Sequence, residues 1–194
     1  MSHTETITEV IRHRRTIKPN QYLDREIDKA IVRGILENAN WAPTHGMTEP
    51  WRFTVYSGPA RERLADFLAD TYRTISTPES YRQKKYEGMR INATLAPVVI
   101  AIGMKRQASE KISELDELQA VACAVQNMHL TAAAHGLGAF WSTNVAAVSD
   151  QMRQFLGLAE RDRALGLFYL GYPDCDWPSS RRGSIDEKVT WLGD

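Results

Sequence analysis

Hydrophobic positions along the 194-residue chain change their spacing several times, and each change predicts an element. Near the start, Ile7, Val10 and Ile11 recur at helical spacing behind Thr6 and Glu9, which have capping-box separation. A short first helix is predicted, ending near "RHRRTIK". Asp24 is placed to cap a second helix whose apolar stripe is Ile27, Ala30, Ile31 and Ile35. That helix must stop before Pro43, because the residue preceding a proline avoids the α region. "PWRFTVYS", Pro50 to Ser57, is short, β-branched and aromatic, and predicts a strand. Residues 59–73 return to helical spacing through Leu64, Phe67 and Leu68, and residues 74–80, "TISTPES", predict a loop.

"APVVIAIGM", Ala96 to Met104, is a continuous apolar run of strand length, as in a central strand buried on both faces. Ser113 starts a long helix reaching about His135. It is apolar on nearly every side between Leu118 and Ala134, the pattern of a helix enclosed by other protein. "GAFWSTN", Gly138 to Asn144, predicts a third strand. Ser149 caps a short helix that Gly157 terminates. "ALGLFYLGYP", Ala164 to Pro173, predicts a fourth strand, and a polar tail runs from Asp174 to Asp194. No internal repeat, low-complexity segment or linker divides the chain. The expectation is one α+β domain over residues 1–194, with a mixed central β-sheet flanked by helices.

Composition narrows the function classes. Lys+Arg and Asp+Glu are both 24, so net charge gives no reason to expect nucleic acid or an anionic membrane as partner. Cys123 and Cys175 lie in no metal-ligand spacing, and Cys123, within an apolar helical run, is expected to be a buried hydrophobe. The start has no basic segment followed by an apolar one, and no run of about 18 apolar residues exists. A soluble, cytoplasmic protein is expected.

The chemistry-bearing residues are few. Arg12, His13, Arg14, Arg15 and Lys18 form a basic cluster that either decorates a helix end or makes an anion site, since guanidinium forks suit phosphate oxygens. Arg181 and Arg182 form a second basic pair that the fold could bring to the same anion. Gly136 and Gly138 resemble half of a dinucleotide fingerprint, but they follow a helix instead of opening one, so a helix C-cap and a tight turn are expected. No nucleophile motif and no metal-ligand set stands out among the five histidines at 3, 13, 45, 129 and 135. His129 is expected to be a hydrogen-bonded core histidine, and Trp51 a core aromatic. Trp41 and His45 sit beside Pro43 and Gly46, where irregular backbone favours ligand contact, and a flat ring there suits a flat, polar-edged ligand.

Five segments in order, "RHRRTIK", "ILENANWAPTHGMTEPWRF", "GLGAFWST", "LGYP" and "SSRRGSIDEKVTW", resemble the nitroreductase family of FMN-dependent oxidoreductases, in particular its small branch. The resemblance runs from about Ile11 to Trp191. It implies a nitroreductase-like fold and an intertwined homodimer with two FMN sites at the subunit interface. It further implies that Arg14, Arg15 and Thr16, with Lys18, hold the FMN phosphate and one ring edge. Arg181 and Arg182 reach the phosphate, while Trp41 and His45 are lent to the neighbouring subunit's flavin. Trp141, Ser142 and Thr143 lie along the ring. Gly183 stands where many relatives have proline. No catalytic side chain is required, because the flavin carries the chemistry: electrons pass from NAD(P)H to a nitroaromatic, quinone or similar small-molecule substrate by a ping-pong mechanism. Residues of about 74–90 are expected to cover the flavin, with Tyr81, Tyr86 and Met89 lining a substrate pocket. Special chemistry on the same scaffold, such as dehalogenation or flavin breakdown, and a non-enzymatic flavin-binding protein remain alternatives. A nucleic-acid module using "RHRR" and "SSRR" is disfavoured by the even charge.

Overall fold

The computed structural model describes residues 2–193. Four strands, β1 (Trp51–Ser57), β2 (Val98–Met104), β3 (Gly138–Ser142) and β4 (Arg163–Gly171), form one sheet in the order β1-β2-β4-β3. All three pairings between these strands are antiparallel. A parallel contribution comes from the isolated bridge between Thr16 and Ala139, on the open edge of β3. Every residue of β2 is buried, as its unbroken apolar run predicts.

Six helices flank the sheet: α1 (His3–His13), α2 (Lys29–Ala39), α3 (Ala60–Ile75), α4 (Gln83–Leu95), α5 (Glu114–Ala134) and α6 (Asp150–Phe155). On one face, α2 and α5 contribute Ile35, Val121, Val125 and Met128 to a core that includes Ile100, Ile102 and Phe168. On the other, Leu64, Leu68 and Tyr72 of α3, Ala93 of α4 and Met152 of α6 pack with Val99, Leu167 and Tyr169. The α+β architecture agrees with the pattern of hydrophobic spacing.

Several boundaries differ from expectation for local reasons. The first helix is capped by Ser2, whose capping box closes on Glu5; Thr6 lies inside the first turn and donates to the Ser2 carbonyl. The second is capped by Asp28, whose carboxylate accepts from the Ala30 N–H, and not by Asp24. Residues before Asp28 are drawn away from helix by the Leu23 N–H bond to Tyr172 and the Tyr22–Pro173 bridge. Helix α4 occupies much of the segment expected to be a cover. Its hydrophobic pattern is weak, and it contains Gly88. Its stability comes from packing on α3, from the Arg90–Asp66 ion pair at 2.9 Å and from Arg61, which donates to the Thr94 and Ala96 carbonyls at its C-terminal end.

The ends of α5 and α6 follow sequence. Gly136 and Gly157 adopt φ of 69° and 68°, and Leu137 donates back to Ala132. Trp51 is core, its indole N–H bonded to Asn40 at 2.9 Å. Cys123 is exposed, contrary to expectation, because the buried stripe of α5 runs through Val121, Ala124, Val125 and Met128. No helix among the described residues is long and apolar enough to cross a membrane.

Tyr22 fastens the chain's first segment to the sheet. Its hydroxyl donates to the Ile17 carbonyl at 2.7 Å, and its ring fills the notch left by two glycines. A Cβ at Gly138 would lie 2.9 Å from that ring, and one at Gly171 would overlap it. Gly171→Ala therefore overpacks a rigid ring and should cost about 2–3 kcal/mol. Thermal denaturation should show a Tm lower by roughly 4–10 °C.

Candidate functional site: a cationic groove and a donor-lined cavity

The two basic clusters meet. Arg12, Arg14 and Arg15, at and after the end of α1, share a groove of about 640 Å³ with Arg181 and Arg182 of the tail. Gln126 of α5 and Ser180 complete its polar wall, and among the described residues no carboxylate lines it. The tail is pinned there by contacts that span the whole chain. Arg15 Nε donates to the Pro178 carbonyl at 2.6 Å, Trp177 donates to the His13 carbonyl, and the His13 and Trp177 rings stack at 4.7 Å. Burial, then the charges of Arg182 and Arg15, push the Arg14 guanidinium below its ordinary value. Five cations without a counter-charge favour a multiply charged anion.

The segment after Arg15 leads to the second part of the site. Ile17 N–H donates to the Ala139 carbonyl, so residues 14–18 run along the free edge of β3. Beyond lies a cavity of about 430 Å³ between α4 and the β3–β4 edge. Lys18, Ser142 and Thr143, all expected at the site, line it. So do Lys85, Met89 and Asn92 of α4, Phe140 of β3 and Tyr169 of β4. Again no carboxylate is present. Asn144 shapes the far wall, its side-chain oxygen accepting from the Ala146 and Ala147 N–H groups.

The remaining predicted residues fall elsewhere. Trp141 turns its ring into the core beside Leu165, and its indole N–H donates to the Leu165 carbonyl at 2.9 Å. Trp41 is 86% exposed and lines a separate hollow with Pro43, Met47 and Trp51. Its loop carries Gly46, Met47 and Glu49 with φ of 61°, 54° and 43°, left-handed backbone that is uncommon for residues other than glycine. His45 lies 3.5 Å from Asp116, on the first turn of α5. The Asp116 carboxyl is held below its ordinary value chiefly by the Ser113 hydroxyl, with His45 adding to the effect. Under this loop, Arg106 and Glu117 form an ion pair at 2.8 Å, with Glu117 1% exposed, and Arg106 also donates to the Ile112 carbonyl. Ile112 in turn packs against Gly46. In one chain, then, Trp41 and His45 are not brought to the arginines.

Tyr81 and Tyr86 pack on the second core, Tyr81 stacking on Tyr72 and meeting Tyr86 at a tilt of 46°; of the expected cover residues, Met89 reaches the cavity. Lys85, Asn92 and Tyr169 were missed. Lys85 and Asn92 belong to a helix with little amphipathic signal, and Tyr169 sits in a strand that reads as pure core.

His129 also departs from expectation. It is 8% exposed and meets Phe168 edge-on at 4.6 Å, yet its Nδ1 has no hydrogen-bond partner. Burial, then the nearby Arg14 charge, lower its pKa to about 4.

Comparison with known proteins identifies the family. The nitroreductase family profile matches residues 11–172, and the chain belongs to that family. A nitroreductase-like family protein from Bacillus cereus superposes with a TM-score of 0.85 at 26% identity, over 100% of both chains. A nitroreductase-named protein from Desulfovibrio desulfuricans, solved in complex with FMN, is 28% identical over 97% of each chain, with a TM-score of 0.69. The Bacillus subtilis protein named "Putative NAD(P)H nitroreductase YfhC" is 25% identical over 95% of this chain and 93% of its own.

A depressed histidine pKa has a signed consequence. His129 is neutral in the native state, whereas an unfolded histidine takes up a proton near pH 6.5, so stability falls on acidification from about 6.5 towards 4. Denaturant titrations at pH 7 and pH 4.5 should show a pH-dependent loss smaller by roughly 2–3 kcal/mol in His129→Gln than in the parent protein.

Proposed function

We propose that the protein is an FMN-dependent oxidoreductase that passes electrons from NAD(P)H to flat, electron-poor acceptors such as nitroaromatics or quinones. The observation that carries this reading is the convergence of Arg14, Arg15, Arg181 and Arg182 on one carboxylate-free groove beside a cavity lined by donors. The arrangement fits FMN. A phosphate dianion relieves the repulsion among the guanidinium groups, and a planar ring with carbonyl and imine acceptors suits a lining of ammonium, amide and hydroxyl donors. The FMN complex of the Desulfovibrio relative and the NAD(P)H in the name of YfhC support the same cofactor and donor.

In this reading Arg14, Arg15, Arg181 and Arg182 bind the phosphate, with Thr16 holding the backbone against Ala139. Lys18, Ser142 and Thr143 border the ring, and Lys18 favours negative charge on it. Trp141 serves as scaffold, fixing the strand end that presents Ser142 and Thr143. When bound, FMN supplies the hydride and electron chemistry. Protein groups bind, orient and exclude water, so no acid, base or nucleophile is needed among them. Donor and acceptor use one site in turn, which gives ping-pong kinetics.

The working unit is a homodimer. Trp41 and Met47 are exposed on a loop built to hold one shape, and Ile7, Ile11 and Leu115 leave apolar area on α1 and α5 uncovered. A second copy covers these surfaces and receives Trp41 and His45 at its own cavity.

The purified protein is expected to carry a yellow chromophore that denaturation releases as FMN, and to sediment at twice the chain mass. The double variant Arg14→Ala/Arg182→Ala should weaken FMN binding by roughly 100-fold or more while leaving riboflavin affinity nearly unchanged. Anaerobic assays with NADH or NADPH and a nitroaromatic or quinone should give parallel double-reciprocal lines. A colourless monomer that neither binds FMN nor oxidises NAD(P)H would refute the assignment.

A further inference from the structure

We infer that the Tyr169 hydroxyl is a hydrogen-bond donor to the acceptor edge of the flavin ring, held in the cavity between α4 and the β3–β4 edge. The inference rests on the FMN assignment above and extends it to a residue outside the family segments that the chain displays.

Tyr169 lies on the inner strand β4 and is 2% exposed. It nevertheless lines the cavity, with its ring stacked on Phe140 at 5.9 Å and 18°. Its hydroxyl makes no hydrogen bond to protein among the described residues; the bond from Tyr22 that reaches this residue goes to its backbone carbonyl, at 3.3 Å. The contrast with Tyr22 is informative. That neighbouring phenol, also well buried, places its proton on the Ile17 carbonyl at 2.7 Å. The Tyr169 hydroxyl instead stands accessible at the cavity wall with no protein partner among the described residues, where it is free to donate to a ligand.

The rest of the wall says what the ligand offers. Lys18 and Lys85 bring ammonium groups and Asn92 an amide, and no carboxylate lines the space. Burial holds the Tyr169 phenol above its ordinary pKa, so it keeps its proton across the physiological range. A protonated phenol among cations calls for acceptor atoms on the ligand. The carbonyl and imine edge of an isoalloxazine provides them, and gains electron density on reduction. The donor therefore favours the reduced ring over the oxidised one.

The test is Tyr169→Phe, which removes one oxygen and keeps the ring. Affinities for FMN and riboflavin are measured by fluorescence titration of apoprotein, and the midpoint potential of the bound flavin by dye equilibration. The variant should bind both flavins about 5–10-fold more weakly, as for loss of one hydrogen bond, and its potential should fall. Arg14→Ala serves as the contrast, losing affinity for FMN and not for riboflavin. Affinities within twofold of the parent protein for both flavins would overturn the inference. So would a loss confined to FMN, which would place the effect at the phosphate. An apoprotein variant that melts well below the parent would also overturn it, since the hydroxyl would then have a partner within the protein. Failure of the parent protein itself to bind either flavin is a separate result that removes the FMN assignment.

Discussion

Repulsion among guanidinium groups is the interaction around which this structure is arranged. Five arginine side chains from the two ends of the chain line one groove without a carboxylate among them. Such an arrangement raises the energy of the unliganded protein and lowers it again when a dianion enters. The tail could not hold its place on charge alone. It is kept there by uncharged contacts: the His13–Trp177 stack and the Trp177 and Arg15 bonds to carbonyls. Packing and hydrogen bonds to backbone carbonyls thus hold these like charges together.

The sheet transmits that arrangement to the cavity. Residues 14–18 carry arginines at one end and Lys18 at the other, and the bridge between Thr16 and Ala139 fixes the stretch between them along β3. The Tyr22 ring, seated in the notch at Gly138 and Gly171, keeps that stretch from lifting away. The arginine groove and the cavity therefore share one short segment. The aromatic corner at Trp41 is held by another route: the buried Arg106–Glu117 pair, Ile112 beneath Gly46, and His45 beside Asp116. Breaking a buried pair of this kind leaves an uncompensated charge, so the corner's shape depends on a contact remote from its surface.

Tyr22, seated in the glycine notch, is satisfied by backbone, whereas the Tyr169 hydroxyl at the cavity wall has no protein partner among the described residues. The difference arises from position: Tyr22 lies against the backbone at Ile17, and Tyr169 lines the cavity that Lys18 borders.

Much was legible beforehand. Strands β1, β2 and β4 stand out because alternation or unbroken apolarity over a few residues is a local property, and the C-terminal glycines of α5 and α6 follow from backbone freedom at one residue. The arginine clusters could be named as a candidate anion site from the chain alone, since their charge is intrinsic, whereas Ser142 and Thr143 could be named only through the ordered motifs that resemble the family. Helix α4 could not, because tertiary partners, Arg61 and Asp66 among them, stabilise it where its own pattern does not. Nor could Cys123 be placed, as a helix apolar on most sides does not declare which side is covered. Alternation along β4 assigns Tyr169 to a face of the sheet but cannot say that a cavity opens there. The amino-acid sequence determined which elements form and which side chains carry charge; tertiary structure decided which of them meet, because Arg15 and Pro178, 163 residues apart, come together only through contacts that no local pattern encodes.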